Sequence, residues 1–140
     1  MTSGFITKNF RVEEISSRGE LHLTPELISF VGIAQELRDW AALRFPRHAK
    51  NGLIISNCYR TAKHNKDVGG STNSAHLDGR AMDITNVQQA TFDEFRFMWE
   101  FLCSKYNRIG GINYYTWGIH ITDYENKFGN KVFQVRDYRI

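Results

Sequence analysis

The chain has 140 residues, of which 41% are hydrophobic and 24% are charged. This length and composition fit one globular domain with its own core, and they exclude disordered, fibrous and membrane-spanning classes, because no apolar run is long enough to cross a bilayer. The formal net charge of +3 favours an anionic partner, but the basic residues are spread out, so charge alone does not distinguish a cell wall from nucleic acid.

We expect a single domain over residues 1–140 and a monomer. The first fifteen residues lack the basic stretch and apolar core of a secretory signal, which predicts synthesis and folding in a cytoplasm. Cys58 and Cys103 lie far apart and outside any CxxC pattern. They are therefore expected to be buried free thiols, not a disulfide or a thiolate zinc site.

Two helices are predicted from end signals and apolar periodicity. Thr24 is a hydroxyl N-cap before Pro25, and an apolar stripe then repeats every three or four residues until the helix ends near Phe45 and Pro46. The second helix begins at Thr91, where Glu94 would complete a capping box. Its predicted buried face consists of Phe95, Met98, Trp99, Leu102 and Tyr106.

Short apolar or β-branched segments predict four strands: Leu53 to Ser56, Ala81 to Ile84, Ile119 to Thr122, and Val132 to Val135. No regular βαβ alternation is present, so we expect an α+β fold in which helices cover one side of a small antiparallel or mixed sheet. The segment from Tyr59 to Ala75 is polar and contains glycines, which predicts a loop-rich functional region.

Three residues of zinc-binding type can converge in this fold. Asp83 and His120 lie in two predicted strands, and His76 lies in the loop before the first of them. Two imidazoles and a carboxylate match a catalytic zinc site that leaves one position open for water. A histidine on a strand is more often a packed or surface residue, and the aspartate could cap a turn, but a carboxylate inside an apolar strand is costly to bury without a cation.

The motifs around these residues resemble the zinc D-alanyl-D-alanine carboxypeptidase family. The segment SAHLDGRAMDI, from Ser74 to Ile84, is similar to the family's SxHxxGxAxDI motif, and GGINYYTWGIHIT, from Gly110 to Thr122, is similar to its GGIGxY...HxD segment. With NFRVEEI and the helix that follows, the resemblance covers most of the chain. Relatives include D-Ala-D-Ala dipeptidases, L-alanyl-D-glutamate endolysins of phages, and the amino-terminal domain of hedgehog proteins.

The resemblance implies a hedgehog/DD-peptidase-like fold and zinc as cofactor, held by His76, Asp83 and His120. Arg60 matches an arginine that faces substrate and would bind a carboxylate or developing oxyanion through its planar fork of donors. Ser74 matches a serine that would hold substrate or orient a ligand, although a turn-forming serine is an equal alternative. His64 and Asn65 match a pair that we interpret as organising the loop.

The chain departs from the family pattern at the general base. Family members carry a carboxylate a few residues before the third ligand, often in a DxxH or ExxH pattern, but three residues before His120 this chain has Trp117. The family's aspartate two residues after that histidine is here Thr122. Strand alternation predicts that Thr122 shares the face of His120 and that Asp123 points away. The possible substitutes are Asp78, Tyr114, Tyr115 and Asp123, of which Asp78 and Tyr115 join Arg60 as the catalytic candidates.

The resemblance therefore implies a zinc metallopeptidase that hydrolyses an amide in the stem or cross-link peptides of peptidoglycan. The chain is similar to phage lysins that act on the wall after release or as virion components. We expect no nucleic acid partner and no membrane insertion. One alternative is a wall-binding module that keeps the zinc fold without the base. Another is a structural or nucleic-acid-binding protein in which the His/Asp pattern is accidental.

Overall fold

The computed structural model describes residues 4–124 and 131–139, which form an α+β arrangement as predicted. The α-helices of the described part are α1 (Val12–Ile15), α2 (Pro25–Arg44), α3 (Pro46–Asn51), α4 (Ala62–Asp67) and α5 (Phe92–Lys105). Its strands are β1 (Ile55–Asn57), β2 (Ala81–Ile84), β3 (Gly111–Tyr115), β4 (Gly118–Thr122) and β5 (Gln134–Asp137). Two short 3-10 helices cover Ala75–Asp78 and Gln89–Thr91.

The five strands form one mixed sheet in the order β1-β2-β4-β3-β5. β1 pairs antiparallel with β2, β2 with β4, and β4 with β3, whereas β5 pairs parallel with β3 at the edge of the sheet. The mixed form of the sheet, one of the two forms expected, is thus the one observed. The chain places β2 and β4 side by side although α5 and β3 lie between them in sequence.

The first predicted helix is confirmed at both ends. The hydroxyl of Thr24 accepts a hydrogen bond from the Leu27 amide, and Pro25 occupies the first helical position. The helix ends at Arg44 because Phe45 adopts an extended conformation, which the following proline favours. Pro46 does not open a loop, since it is itself the first residue of α3.

The second predicted helix exists, but its capping box is wrong. Thr91 ends a 3-10 helix with a ψ of 2°, not in the extended conformation of an N-cap, and its hydroxyl donates to the Gln88 carbonyl. Glu94 instead pairs with Arg44 of α2 at 2.7 Å. The buried face is also partly different: Tyr106 lies beyond the end of α5 with its side chain exposed, and Met98 is half-buried, while Phe92 and Cys103 are buried.

The strand predictions hold for β2 and β4 and need correction elsewhere. β1 and β5 each begin two residues later than predicted, and β3 was not predicted as a strand. At β1 the cause is local, because the Ile54 amide donates to the side chain of Asn86 and not to a neighbouring strand. The segment from Tyr59 to Ala75 is less loop-like than expected, since it contains α4.

The two faces of the sheet differ in polarity. Met82, Ile84, Ile112, Ile119 and Ile121 face α2 and α5 and share one core with Phe30 and Trp99, whose rings meet edge to face at 5.9 Å. The Trp99 indole also donates to the Thr122 carbonyl at 3.0 Å, which ties α5 to the end of β4. Alternate residues of the same strands therefore lie on the face away from these helices.

Two expectations from composition can be compared with the described residues. Cys58 and Cys103 are both buried and free, as predicted. Across residues 4–124 and 131–139, none of the helices combines the length and apolar character that crossing a membrane would require.

Candidate active site

A row of polar residues crosses the open face of the sheet. Asp83 pairs with Asn57 on one side and with His120 on the other, His120 pairs with Asn113, and Asn113 pairs with Arg136. Residues that are directly opposite in a β-ladder share a face, so one residue from each strand contributes to this row. The pairing of β2 with β4 is what brings Asp83 and His120 together.

His76 reaches the row from the 3-10 helix before β2, not from an irregular loop. The hydroxyl of Ser74 caps this helix by accepting from the His76 amide at 3.2 Å, and Gly79 ends it in the left-handed conformation with φ of +67°. A Cβ at Gly79 would lie 2.4 Å from a methyl of Leu27, so close packing against α2 also requires glycine here. This cap is a structural role, as in the turn-forming alternative, and it also fixes the segment that carries His76.

The His76 ring is oriented by the backbone of the preceding strand segment. Its Nδ1 lies 2.6 Å from the carbonyl oxygen of Cys58, and since a carbonyl only accepts, this nitrogen donates. The Arg60 amide in turn donates to the His76 carbonyl at 2.8 Å. This arrangement leaves Nε2 directed toward Asp83, with the acceptor character that a metal ligand needs.

The three ligand-type side chains meet within a small volume. Asp83 Oδ1 lies 3.3 Å from His76 Nε2 and 2.8 Å from His120 Nδ1, and one ligand atom from each residue lies within 4.8 Å of the others. Ligand atoms around tetrahedral zinc are about 3.3 Å apart, given metal–ligand distances near 2.0–2.1 Å. The donor set and its spacing therefore fit a zinc ion.

The electrostatics of the cluster also suit a cation. Burial would raise the pKa of Asp83, but hydrogen bonds with His120 and His76 outweigh it and hold that pKa below its usual range. Burial lowers the pKa of His76, so that its imidazole is neutral near neutral pH. An ionised carboxylate beside a neutral imidazole is the protonation state in which these groups bind metal.

Arg60 adjoins the cluster and is held by Asn65. Its Nη2 lies 3.6 Å from Asp83 Oδ2, and its Nη1 donates to the Asn65 side chain at 3.2 Å. Asn65 is buried and also donates to the Ser71 carbonyl, which supports the prediction that the His64–Asn65 pair organises this region. His64 itself contacts the buried hydroxyl of Ser17 at 2.6 Å and does not line the cleft.

The cluster lies in a cleft of about 600 Å³. Arg60, Ser74 and the three ligand-type residues line it, together with Tyr115 and Thr122. Burial raises the pKa of Tyr115, and the charge of nearby Arg136 opposes that effect. Tyr115 stacks on Trp117 at 4.8 Å and on Tyr138 at 5.1 Å between ring centroids, which gives the cleft a flat aromatic wall.

Most of the other candidates for the base lie elsewhere. Asp78 is exposed and is not among the cleft residues, which argues against a direct catalytic role. Tyr114 points to α5, where its hydroxyl donates to Asp93 at 3.0 Å. Asp123 is buried away from the cleft against Arg80 at 2.9 Å and Arg108 at 3.4 Å. Within the described residues, Asp83 is the one carboxylate of the cleft, and Tyr115 is the one base candidate that lines it.

Several cleft residues were not anticipated from the sequence. Asn113, Tyr124, Arg136 and Tyr138 line the cleft, and of these only Asn113 lies in a segment of the resemblance, where no role was expected for it. Asn113 could have been found from its place in the GGINYY segment, since it alternates with Tyr115. Arg136 could not, because β5 was placed two residues too early and its pairing with β3 is remote in sequence.

Comparison with known proteins agrees with this geometry. The family model described as Peptidase M15 matches residues 8–122, which is most of the chain. Searches of curated proteins and of solved structures found no match. The matched region contains His76, Asp83 and His120, the group that could hold a metal, and peptidases of this family use zinc. With the family's motif segments folded around one cleft, the chain belongs to the Peptidase M15 family.

Proposed function

We propose that this protein is a zinc metallopeptidase that hydrolyses an amide bond in the stem or cross-link peptides of peptidoglycan. The observation that carries the proposal is the convergence of His76, Asp83 and His120, three residues of ligand type with zinc-like spacing, in a cleft that Arg60 also lines. Membership of the M15 family supports a peptidase at the level of the family. The specific bond follows the resemblance to carboxypeptidases and endolysins.

Zinc held by these residues would supply a Lewis acid for the scissile carbonyl and activate the attacking water. Arg60, fixed by Asn65 and close to Asp83, would bind a substrate carboxylate or the oxygen that becomes negative during attack. Tyr115 lines the cleft and would donate a hydrogen bond to the reacting group. Ser74 would act through the ligand, because its hydroxyl caps the helix that carries His76.

The partner of this cleft would be a wall peptide, and we propose no nucleic acid partner, no membrane insertion and a monomeric protein. By the same resemblance, the protein would reach the bacterial wall after release from the cell or as part of a virion. The basic composition, with a net charge of +3, is compatible with an anionic wall polymer.

A second function is favoured by one observation. Trp117 occupies the position of the family's general base, and no other carboxylate besides Asp83 lines the described cleft. Loss of general acid–base help costs about 10²- to 10⁴-fold in rate. A chain with an intact metal site and no proton acceptor would act as a wall-binding module.

One experiment separates the two functions. The full chain is loaded with zinc, incubated with isolated peptidoglycan, and assayed for new amine termini and for sedimentation with the wall. New termini that disappear in His120→Ala indicate the peptidase. Sedimentation without new termini, followed by hydrolysis in Trp117→Glu, indicates a binding module that lacks only its base. Absence of both hydrolysis and wall binding in wild type and Trp117→Glu would refute both functions.

A further inference from the structure

An indole lines the cleft at the position where the resemblance implies a general base. Trp117 is 42% exposed there, and none of the roles described above uses its ring. We propose that Trp117 binds the sugar ring to which a stem peptide of the wall is attached, an inference that rests on the wall substrate proposed above. The cleft would then hold a glycopeptide, with the sugar on the indole and the peptide at the three ligand-type residues.

The indole is held in place by a stack of three rings. The Tyr115 ring lies 4.8 Å from that of Trp117 and 5.1 Å from that of Tyr138, with interplanar angles of 14° and 16°. β3 lies between β4 and β5 in the sheet, Trp117 belongs to the turn into β4, and Tyr138 follows β5, so the two outer rings cover opposite faces of Tyr115. The Trp117 face away from Tyr115 therefore has no ring partner among the described residues.

The uncovered indole surface suits a sugar ring better than a small side chain. Of the three tryptophans, Trp99 is fully buried and Trp40 packs partly buried against the core, whereas Trp117 leaves apolar surface in water. The negative face of an aromatic ring attracts the C–H bonds on the apolar side of a pyranose. A six-membered sugar ring matches the indole in size, whereas the methyl group of an alanine would cover only a small part of it.

Polar groups beside the stack fit the edge of a sugar. The hydroxyl and acetamido groups of an amino sugar need both donors and acceptors. Asn113 alternates with Tyr115 on β3 and lines the cleft, and its amide offers two donors and an acceptor. The phenol hydroxyls of Tyr115 and Tyr138, which also line the cleft, can donate and accept. Uncharged groups of both kinds next to an exposed aromatic face are what a neutral sugar requires.

The strand register sets where the sugar lies relative to the reacting bond. Tyr115 is two residues from Asn113 on β3, and Asn113 pairs with His120 on β4. At about 3.4 Å per residue and 4.8 Å between strands, the backbone positions of Tyr115 and His120 are roughly 8 Å apart. Two or three extended residues cover that distance. A sugar on Trp117 would therefore bring one of the first amides of the stem, close to the sugar, to the ligand-type residues.

Two synthetic ligands distinguish the sugar from the peptide. One is a stem dipeptide joined to N-acetylmuramic acid, and the other is the same dipeptide joined to lactic acid, which lacks only the sugar ring. Affinities of the zinc-loaded full chain are measured by calorimetry for wild type, Trp117→Ala, Trp117→Phe and the control Phe97→Ala. Phe97 is 74% exposed on α5 and does not line the cleft. Cleavage is measured separately, as release of amine termini from stem peptides with and without the sugar.

Wild type and Phe97→Ala should bind the ligand with the sugar about 5- to 10-fold more tightly, the effect of removing roughly 50 Å² of apolar surface from water. Trp117→Ala should bind both ligands equally while keeping wild-type zinc affinity, and Trp117→Phe should keep part of the preference. Equal affinity of wild type for the two ligands, an undiminished preference in Trp117→Ala, or binding of neither ligand would overturn the sugar site. Hydrolysis without any sugar preference would overturn the sugar site alone, whereas a sugar preference without hydrolysis would support it and contradict the peptidase function.

Discussion

Replacement of Asp83 by asparagine tests the proposed metal site most directly, because it removes the charge of one proposed ligand while nearly keeping its shape. The Asp83 side chain is only 8% exposed and lies within 3.3 Å of His76 Nε2 and 2.8 Å of His120 Nδ1. Structural zinc sites bind with about 10–16 kcal/mol for four ligands, or roughly 3 kcal/mol for each ligand. Asp83→Asn should therefore weaken zinc binding by at least about 100-fold.

That loss of affinity has a measurable effect on stability. At a zinc concentration about 100 times the wild-type Kd, bound metal stabilises the folded protein by about 2.7 kcal/mol. For a domain of this size, that free energy corresponds to a rise of roughly 8 °C in Tm. Wild type should show this rise when zinc is added after chelator treatment, and Asp83→Asn should show almost none. Zinc affinity itself is measured by competition with a chromophoric chelator.

Asp123 provides a matched control, since it is a second buried aspartate near the end of β4. Its carboxylate pairs with Arg80 and Arg108, outside the cleft. Asp123→Asn should destabilise the zinc-free protein by about 3 kcal/mol, because it leaves a buried ion pair broken, but it should keep wild-type zinc affinity. If Asp83→Asn binds zinc as tightly as wild type, or if Asp123→Asn loses zinc equally, the three-residue site is refuted.

Three further predictions use other contacts. Asn65→Ala should lower kcat/KM by about 10-fold with zinc content unchanged, because Arg60 loses the side chain that holds it, and a drop in zinc content would contradict this reading. Gly118→Ala should cost at least about 3 kcal/mol in urea unfolding, since its φ is +152° and a Cβ would lie 2.1 Å from the Ile84 carbonyl; wild-type stability would show that the hairpin adapts. In the presence of chelator, the free energy of unfolding should fall as pH drops below the ordinary histidine value of 6.5, because burial lowers the pKa of His76. It should fall again below 3.8, because hydrogen bonds from the histidines outweigh burial and lower the pKa of Asp83. In each range the unfolded chain binds more protons than the folded one, and a urea midpoint that stays constant to about pH 3 would contradict both shifts.

The parts of the fold that depend on local signals were predictable. Thr24 with Pro25 fixes the start of α2 because the hydroxyl and the missing amide both suit the first turn, whatever packs against the helix. The capping box at Thr91 was wrongly predicted. A capping box needs an N-cap residue in the extended conformation, and Thr91 is not extended because it is the last residue of a 3-10 helix. Tyr106 fits the periodicity of α5 but lies past its end, where Asn107 turns the chain with φ of +58°.

The site was predictable where chemistry and strand alternation agree. A carboxylate inside the apolar strand Ala81–Ile84 requires a partner, and the alternation of β4 correctly separates Thr122, in the cleft, from Asp123, which is buried elsewhere. Arg136 was missed because its position depends on the register between β5 and β3. The prediction of β5 depended on an apolar run that starts at Val132. Val132 is 68% exposed, and the pairing of β5 with β3 begins only at Gln134.

The position of Trp117 explains how a residue outside the strand pattern can belong to the site. Three residues before His120, a side chain on a regular strand would point to the opposite face. Thr116 and Trp117, however, form the two-residue turn between β3 and β4, and Gly118 follows with φ of +152°. This turn directs Trp117 into the cleft against Tyr115, which shares the face of His120. A carboxylate at residue 117 would therefore reach the cleft, at the position where the resemblance implies a general base. Hydrolysis by this chain must use a proton acceptor other than residue 117.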